Sequence, residues 1–102
     1  MQAFELHQRI RSNSAPVVID ARSATEFKRA HIPGAIHASV PMILLRRAHL
    51  PEDRNLALVI HCGHGPRAMI AKGLLALRGY RNMDLLKGHW KLWQNAGLPV
   101  EK

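Results

Sequence analysis

The sequence predicts an α/β fold, a small and mainly parallel sheet of four or five strands flanked by helices. Three observations predict it. Short apolar runs of strand length, such as Val17-Val18-Ile19 and Ala57-Leu58-Val59-Ile60, alternate with stretches whose apolar residues recur every three or four positions. That alternation puts helices against a parallel sheet, and continuous apolar runs suit strands buried on both faces. Two of the runs end in residues with chemistry, Asp20 and Cys62, and open sheets of this kind bind ligands beyond the carboxyl ends of their strands.

Taken in order, Ala3, Leu6 and Ile10 mark one face of a short helix over residues 2–12, which Ser12 to Pro16 interrupts. Val17 to Asp20 follows as a buried strand. Ser23 and Glu26 have the spacing of a capping box, so a helix begins there and runs to about Ala30. His31-Ile32-Pro33-Gly34 reads as a turn, Ala35 to Ser39 as a short strand, and Met42 to Arg47 as one or two helical turns. After a polar loop at Pro51 to Asn55, Ala57 to His61 is the next buried strand. Ile70, Leu74 and Leu77 then suggest the inner face of a helix that Gly79 ends. Met83 to Leu86 is a last strand. Gly88 opens a final helix carrying Trp90 and Trp93, and Gly97 with Pro99 stops it.

The totals bound what this chain can be. At 102 residues, 47% apolar and 22% charged, it is expected to be one domain, residues 1–102, with a real core. The single cysteine excludes an internal disulfide and a thiolate-cluster zinc site, and a free thiol suits a reducing compartment. The first fourteen residues have no apolar signal-peptide core, and Arg, His or Pro interrupts every apolar stretch short of a membrane span. The expectation is a cytoplasmic monomer without direct membrane insertion, although the domain can equally be a module of a longer, anchored chain. Seven histidines show no ligand-pair motif, so neither a metal nor a cofactor is expected. The formal net charge of +8 raises nucleic-acid binding. There is no basic run or Arg-rich helix, and aromatics are only 5%, so no nucleic-acid partner is expected. A positive field does draw small anions into a cleft.

Cys62 carries the functional argument. It ends a strand, Gly63, His64 and Gly65 follow, and Pro66 stands at a first helical position. Such a turn curls backbone N–H groups and a helix N-terminus around one sulfur. The thiolate is the reactive form of cysteine, and a helix N-terminus and nearby cations favour it. Arg67, turning back toward the loop, is a candidate anion clamp, against the alternative of a solvated Arg in a first helical turn. A free cysteine after a strand is often plain core, but Cys-Gly-His-Gly-Pro-Arg is poorly explained that way. His61, one residue earlier, should face the other side of the strand as a hydrogen-bonded structural histidine. Asp20, Arg22 and Glu26 read as support and capping, with Arg22 and Glu26 spaced to pair.

Four stretches together resemble the rhodanese, or thiosulfate sulfurtransferase, family. They are Val18-Ile19-Asp20-Ala21-Arg22 with Glu26-Phe27, His31-Ile32-Pro33-Gly34-Ala35, Cys62 to Arg67, and Gly79-Tyr80 with Leu86-Lys87-Gly88, Trp93 and Gly97-Leu98-Pro99-Val100. The resemblance covers nearly the whole chain from Pro16 onward. It implies a three-layer α/β sandwich with Cys62 as the carrier of a sulfane sulfur and Arg67 beside it. Gly63, His64, Gly65, Pro66 and Ala68 would then line the substrate, with Asp20, Arg22 and His89 behind them. The implied substrates are a small anionic donor, thiosulfate or a persulfide, and an external acceptor, cyanide or a thiol. The chain departs from the family in opening at a helix where a short strand often comes first, in having Ala30 where Gly precedes the His-Ile-Pro-Gly segment, and in having His89 where a second Gly is common.

Two other readings stand beside this one. A cysteine phosphatase or arsenate reductase places five residues between Cys and Arg, whereas Gly63, His64, Gly65 and Pro66 make a tighter ring here, and Ala68 supplies no hydroxyl to a leaving group. A non-catalytic protein-binding module of the same fold would usually lack the cysteine.

Overall fold

The computed structural model describes residues 1–63 and 65–102. Nine elements follow one another: α1 (Ala3–Arg11), β1 (Val17–Asp20), α2 (Ala24–Arg29), β2 (Ile36–His37), α3 (Val40–Leu44), β3 (Leu58–His61), α4 (Pro66–Leu77), β4 (Met83–Leu85) and α5 (His89–Asn95). The four strands form one sheet in the order β2-β1-β3-β4, and every pairing is parallel. From β1 the chain goes to one side for β2 and to the other for β3 and β4. The order therefore reverses between β1 and β3, and a crevice opens at their carboxyl ends. Register pairs Asp20 with His61 at that edge, and Cys62 is the next residue.

Alternation along the strands divides the core. Ile19, Leu58, Ile60 and Cys62 pack with Ala68, Ala71 and Leu75 of α4 and with Ile43 of α3. Val18 and Val59 face the other way, against Leu6 of α1, Ile32, Leu86 and Trp93 of α5. Each buried Leu, Ile or Trp side chain contributes about 1.5–3 kcal/mol of apolar transfer. Trp93 also places its indole N–H, donating to the Pro99 carbonyl at 2.9 Å.

The helix boundaries have local causes. Ser23 and Glu26 close a capping box, with Glu26 N–H donating to Ser23 Oγ at 3.3 Å and Ser23 N–H to Glu26 Oε1 at 2.9 Å. α3 begins at Val40 rather than Met42, because Ser39 caps it and Pro41 fits the first turn. Pro66 opens α4, and Gly79 closes it at a φ of 97°.

The face of α4 differs from the sequence expectation. Ala68, Ala71 and Leu75 are buried, whereas Ile70 is 56% and Leu77 85% exposed. The small residues Ala68 and Ala71 let the helix lie close to the sheet, which turns the larger ones outward.

Candidate active site

Cys62 sits at the carboxyl end of β3, fully buried. Its Sγ accepts the Gly65 N–H at 2.9 Å. Gly65 can offer that N–H because its backbone stands at φ 127°, ψ −43°, a conformation open to glycine and strained for any residue with a Cβ. Among the described residues, the backbone donor that meets the Cys62 sulfur is this N–H, at the N-cap of α4. His64, expected to line the substrate, lies outside the described residues. Pro66 is exposed at the first turn of α4, and Ala68 is buried beneath the loop.

Arg67 does turn back over the loop. A Cβ placed on Gly63 would lie 3.1 Å from its Nη2, so glycine leaves the guanidinium room. Nη1 donates to Glu26 Oε1 at 2.7 Å and Nη2 to Oε2 at 3.4 Å. That pair holds the Glu26 carboxyl down to about 2 and raises Arg67 above its ordinary value, with the Cys62 sulfur adding to the latter. The expected Arg22–Glu26 pair does not form, because α2 points Glu26 across the crevice to Arg67.

Arg22 is buried instead against Asp20. Its Nη2 donates to Asp20 Oδ2 at 2.8 Å and its Nε to Oδ1 at 3.0 Å, a forked, charge-assisted contact. Its Nη2 also reaches the Ala30 carbonyl at 2.7 Å, and the guanidinium lies 4.0 Å over the Trp90 ring. This stack braces the start of α5 against β1. Sequence reasoning missed this contact, since Arg22 and Trp90 are far apart in the chain.

His61 faces away from Cys62 as expected and is fully buried, but neither ring nitrogen has a hydrogen-bond partner among the described residues. Asp20 Oδ2 is 3.7 Å from Nε2, beyond hydrogen-bond distance, and Trp90 stacks nearby. Burial pushes the imidazole down to about 4, so it is neutral at ordinary pH.

α5 grips the Cys62 peptide from both sides. Cys62 N–H donates to His89 Nδ1 at 3.2 Å, and Trp90 N–H donates to the Cys62 carbonyl at 2.9 Å. With Nδ1 accepting, the neutral ring carries its proton on Nε2. That Nε2 would stand 3.3 Å from a Cβ on Gly65, so the imidazole lies against the cradle. His89 itself has a φ of 53°, in the left-handed region that glycine enters more readily.

Two cavities flank the Arg67–Glu26 pair. One of about 260 Å³ is lined by Arg22, Glu26, Arg29, Trp90 and Gln94, and one of about 320 Å³ by Ser23, Ser39, Pro41 and Arg67. Neither cavity is lined by Cys62 itself, whose thiol is buried behind the Arg67–Glu26 pair. No group of three His, Cys, Asp or Glu residues suited to a metal occurs among the described residues. None of the described helices is long and apolar enough to cross a membrane.

Comparison with known proteins identifies the family and the fold. A family model described as Rhodanese-like domain matches residues 2–96. A sulfurtransferase of Allochromatium vinosum is 30% identical over 95 residues, which are 93% of this chain and 87% of that protein. Thiosulfate sulfurtransferase GlpE of Ectopseudomonas mendocina is 33% identical over 94 residues, 92% of this chain and 83% of its own. The crystal structure of the Alr3790 protein from Anabaena shares the fold, with a TM-score of 0.86 over 99% of this chain and 81% of that one at 23% identity.

Proposed function

The chain belongs to the rhodanese-like domain family, and from that membership and the geometry around Cys62 we propose that it is a sulfurtransferase that works through a Cys62 persulfide. The observation that carries this reading is the Gly65 N–H directed at Cys62 Sγ, with the Arg67 guanidinium folded over the same loop. In the first half-reaction the Cys62 thiolate attacks the outer sulfur of thiosulfate. The S–S bond breaks, and sulfite leaves with the electron pair. The backbone donors then hold the terminal sulfur of the persulfide. In the second, cyanide or a thiolate attacks that terminal sulfur and Cys62 leaves as the thiolate, which is covalent catalysis with ping-pong kinetics.

Cys62 is the only cysteine, so the acceptor comes from outside the chain. Arg67 is placed to meet the donor's charge, in competition with Glu26. His89 and Trp90 fix the Cys62 peptide, and Asp20 and Arg22 support Trp90 from below. The tight ring from Cys62 to Arg67 favours sulfur over a tetrahedral phosphate, whose oxygens each need a donor. Steady-state kinetics with thiosulfate and cyanide test the reading. Parallel double-reciprocal lines and loss of turnover in Cys62→Ser are expected. Intersecting lines, or turnover in that variant at the wild-type rate, would overturn it.

A further inference from the structure

The outer face of α4 is apolar from end to end, and among the described residues nothing covers it. Met69 is 65%, Ile70 56% and Leu77 85% exposed. With Pro66 and Gly73, which are also exposed, they follow the i, i+3, i+4, i+7 spacing of one helical stripe, about 18 Å long over twelve residues. A Cβ on Gly73 would meet nothing within 4 Å, so another surface can approach closely there. Leu44 and Leu45, 61% and 64% exposed, stand at the end of α3, where Arg78 beside Leu77 donates to the Ile43 carbonyl at 3.5 Å. Contiguous apolar exposure of this kind marks an interaction site.

Charge selects the occupant. Arg46, Arg47, Lys72 and Arg78 belong to these two helices and their ends, and the chain has no Asp or Glu from Phe27 to Pro51 or from Cys62 to Met83. A second copy docked by a twofold axis would set like charges against each other with no carboxylate to pair them. A lipid surface would suit the cations, but α3 and α4 carry no Trp, Tyr or Phe to anchor at a membrane interface. An acidic protein surface with an apolar centre fits both features. The stripe starts at Pro66, in the loop that holds Cys62.

We propose that the outer face of α4, continued by Leu44 and Leu45, docks an acidic protein that presents the acceptor thiol to Cys62. The proposal rests on the sulfurtransferase reading. The partner's thiolate attacks the terminal sulfur of the Cys62 persulfide and takes it. The bond from that sulfur to Cys62 Sγ breaks, and Cys62 keeps the electron pair as its thiolate. No external oxidant or reductant enters.

The probe is a fluorescein-labelled helical peptide with a leucine stripe, a glutamate-rich polar face and one cysteine, compared with its lysine-for-glutamate counterpart. Fluorescence anisotropy reads binding without turnover, so this test stands even if no persulfide forms. The acidic peptide should bind, the basic one should not, and Ile70→Ser with Leu77→Ser should weaken binding about tenfold. Raising salt should weaken it further. Sulfur transfer to the acidic peptide should suffer the same loss in the double variant, while transfer to cyanide stays at the wild-type rate. Absent or equal binding of the two peptides, or full binding by the double variant, overturns the proposal. So does sedimentation showing a wild-type dimer that Leu77→Glu dissociates, or pelleting of the wild type with phosphatidylglycerol vesicles that Leu77→Glu abolishes.

Discussion

Arg67 and Glu26 share one contact across the mouth of the Cys62 loop, so changing either should move donor binding in opposite directions. Arg67→Ala removes the positive charge and should raise the thiosulfate KM. A charge-assisted hydrogen bond is worth about 1–3 kcal/mol, and the lower end applies because the side chains are 43% and 39% exposed. Glu26→Gln keeps an oxygen for the Ser23 cap while freeing the guanidinium from its anion, and should lower that KM severalfold. Steady-state kinetics on the two variants decide the matter; KM rising in both would mean that Glu26 helps the donor bind rather than competing with it. His89 makes a different prediction. Asparagine tolerates a positive φ and offers an oxygen near the place of Nδ1, whereas glycine offers only the backbone conformation. His89→Gly should therefore lower kcat while leaving KM close to wild type, and His89→Asn should restore most of it. Wild-type kcat in His89→Gly would remove the Cys62 amide contact from the mechanism.

The elements bring these residues together, and α5 does so through its first turn. Gly88 caps it at a φ of 77°, and a Cβ there would overlap the side chain of Leu92. Gly88→Ala should destabilise the fold by about 2–4 kcal/mol, combining left-handed strain with a forced shift of Leu92. Urea denaturation measures it, and a loss below about 0.5 kcal/mol, the ordinary range for a surface change, would contradict this account of the turn. Much of this architecture is legible in the sequence. Val17 to Asp20 is recovered as a strand to the residue, and the Ser23–Glu26 box and the Gly79 stop are local signals that tertiary packing leaves alone. The inner face of α4 is not legible, because hydrophobicity favours Ile70 and Leu77 while close packing on the sheet selects Ala68 and Ala71. At the site, spacing points to Cys62 and Arg67. It misassigns the partner of Glu26, because Arg22 lies before the Ser23 cap, outside α2, where the helical spacing does not apply, and the carboxylate instead meets a guanidinium 41 positions away.

On the scale of the whole molecule, the buried Asp20, Arg22 and His61, packed against Trp90, tie folding to pH. His61 titrates at about 4 in the fold against 6.5 in the open chain. Above pH 6.5 it is neutral in both states and its full contribution is present. As pH falls from 6.5 to about 4 the unfolded chain takes up a proton that the fold refuses, and about 3 kcal/mol of stability is lost. Denaturation midpoints measured between pH 7 and 4.5 should drop more steeply for the wild type than for His61→Gln. Equal slopes would mean that His61 is charged within the fold. Glu26, held at about 2, adds a smaller loss that develops only below pH 4.5 and is discounted by its exposure.

The same fold buries one sulfur atom beside the Arg67 guanidinium, and the state of that atom is the central claim. Intact-protein mass spectrometry after brief treatment with thiosulfate, followed by peptide mapping, tests it most directly. The account predicts one added sulfur atom, located on Cys62, absent in Cys62→Ser and removed by cyanide. An unmodified Cys62 under conditions where sulfite is released, or an added sulfur that cyanide does not remove, would contradict it.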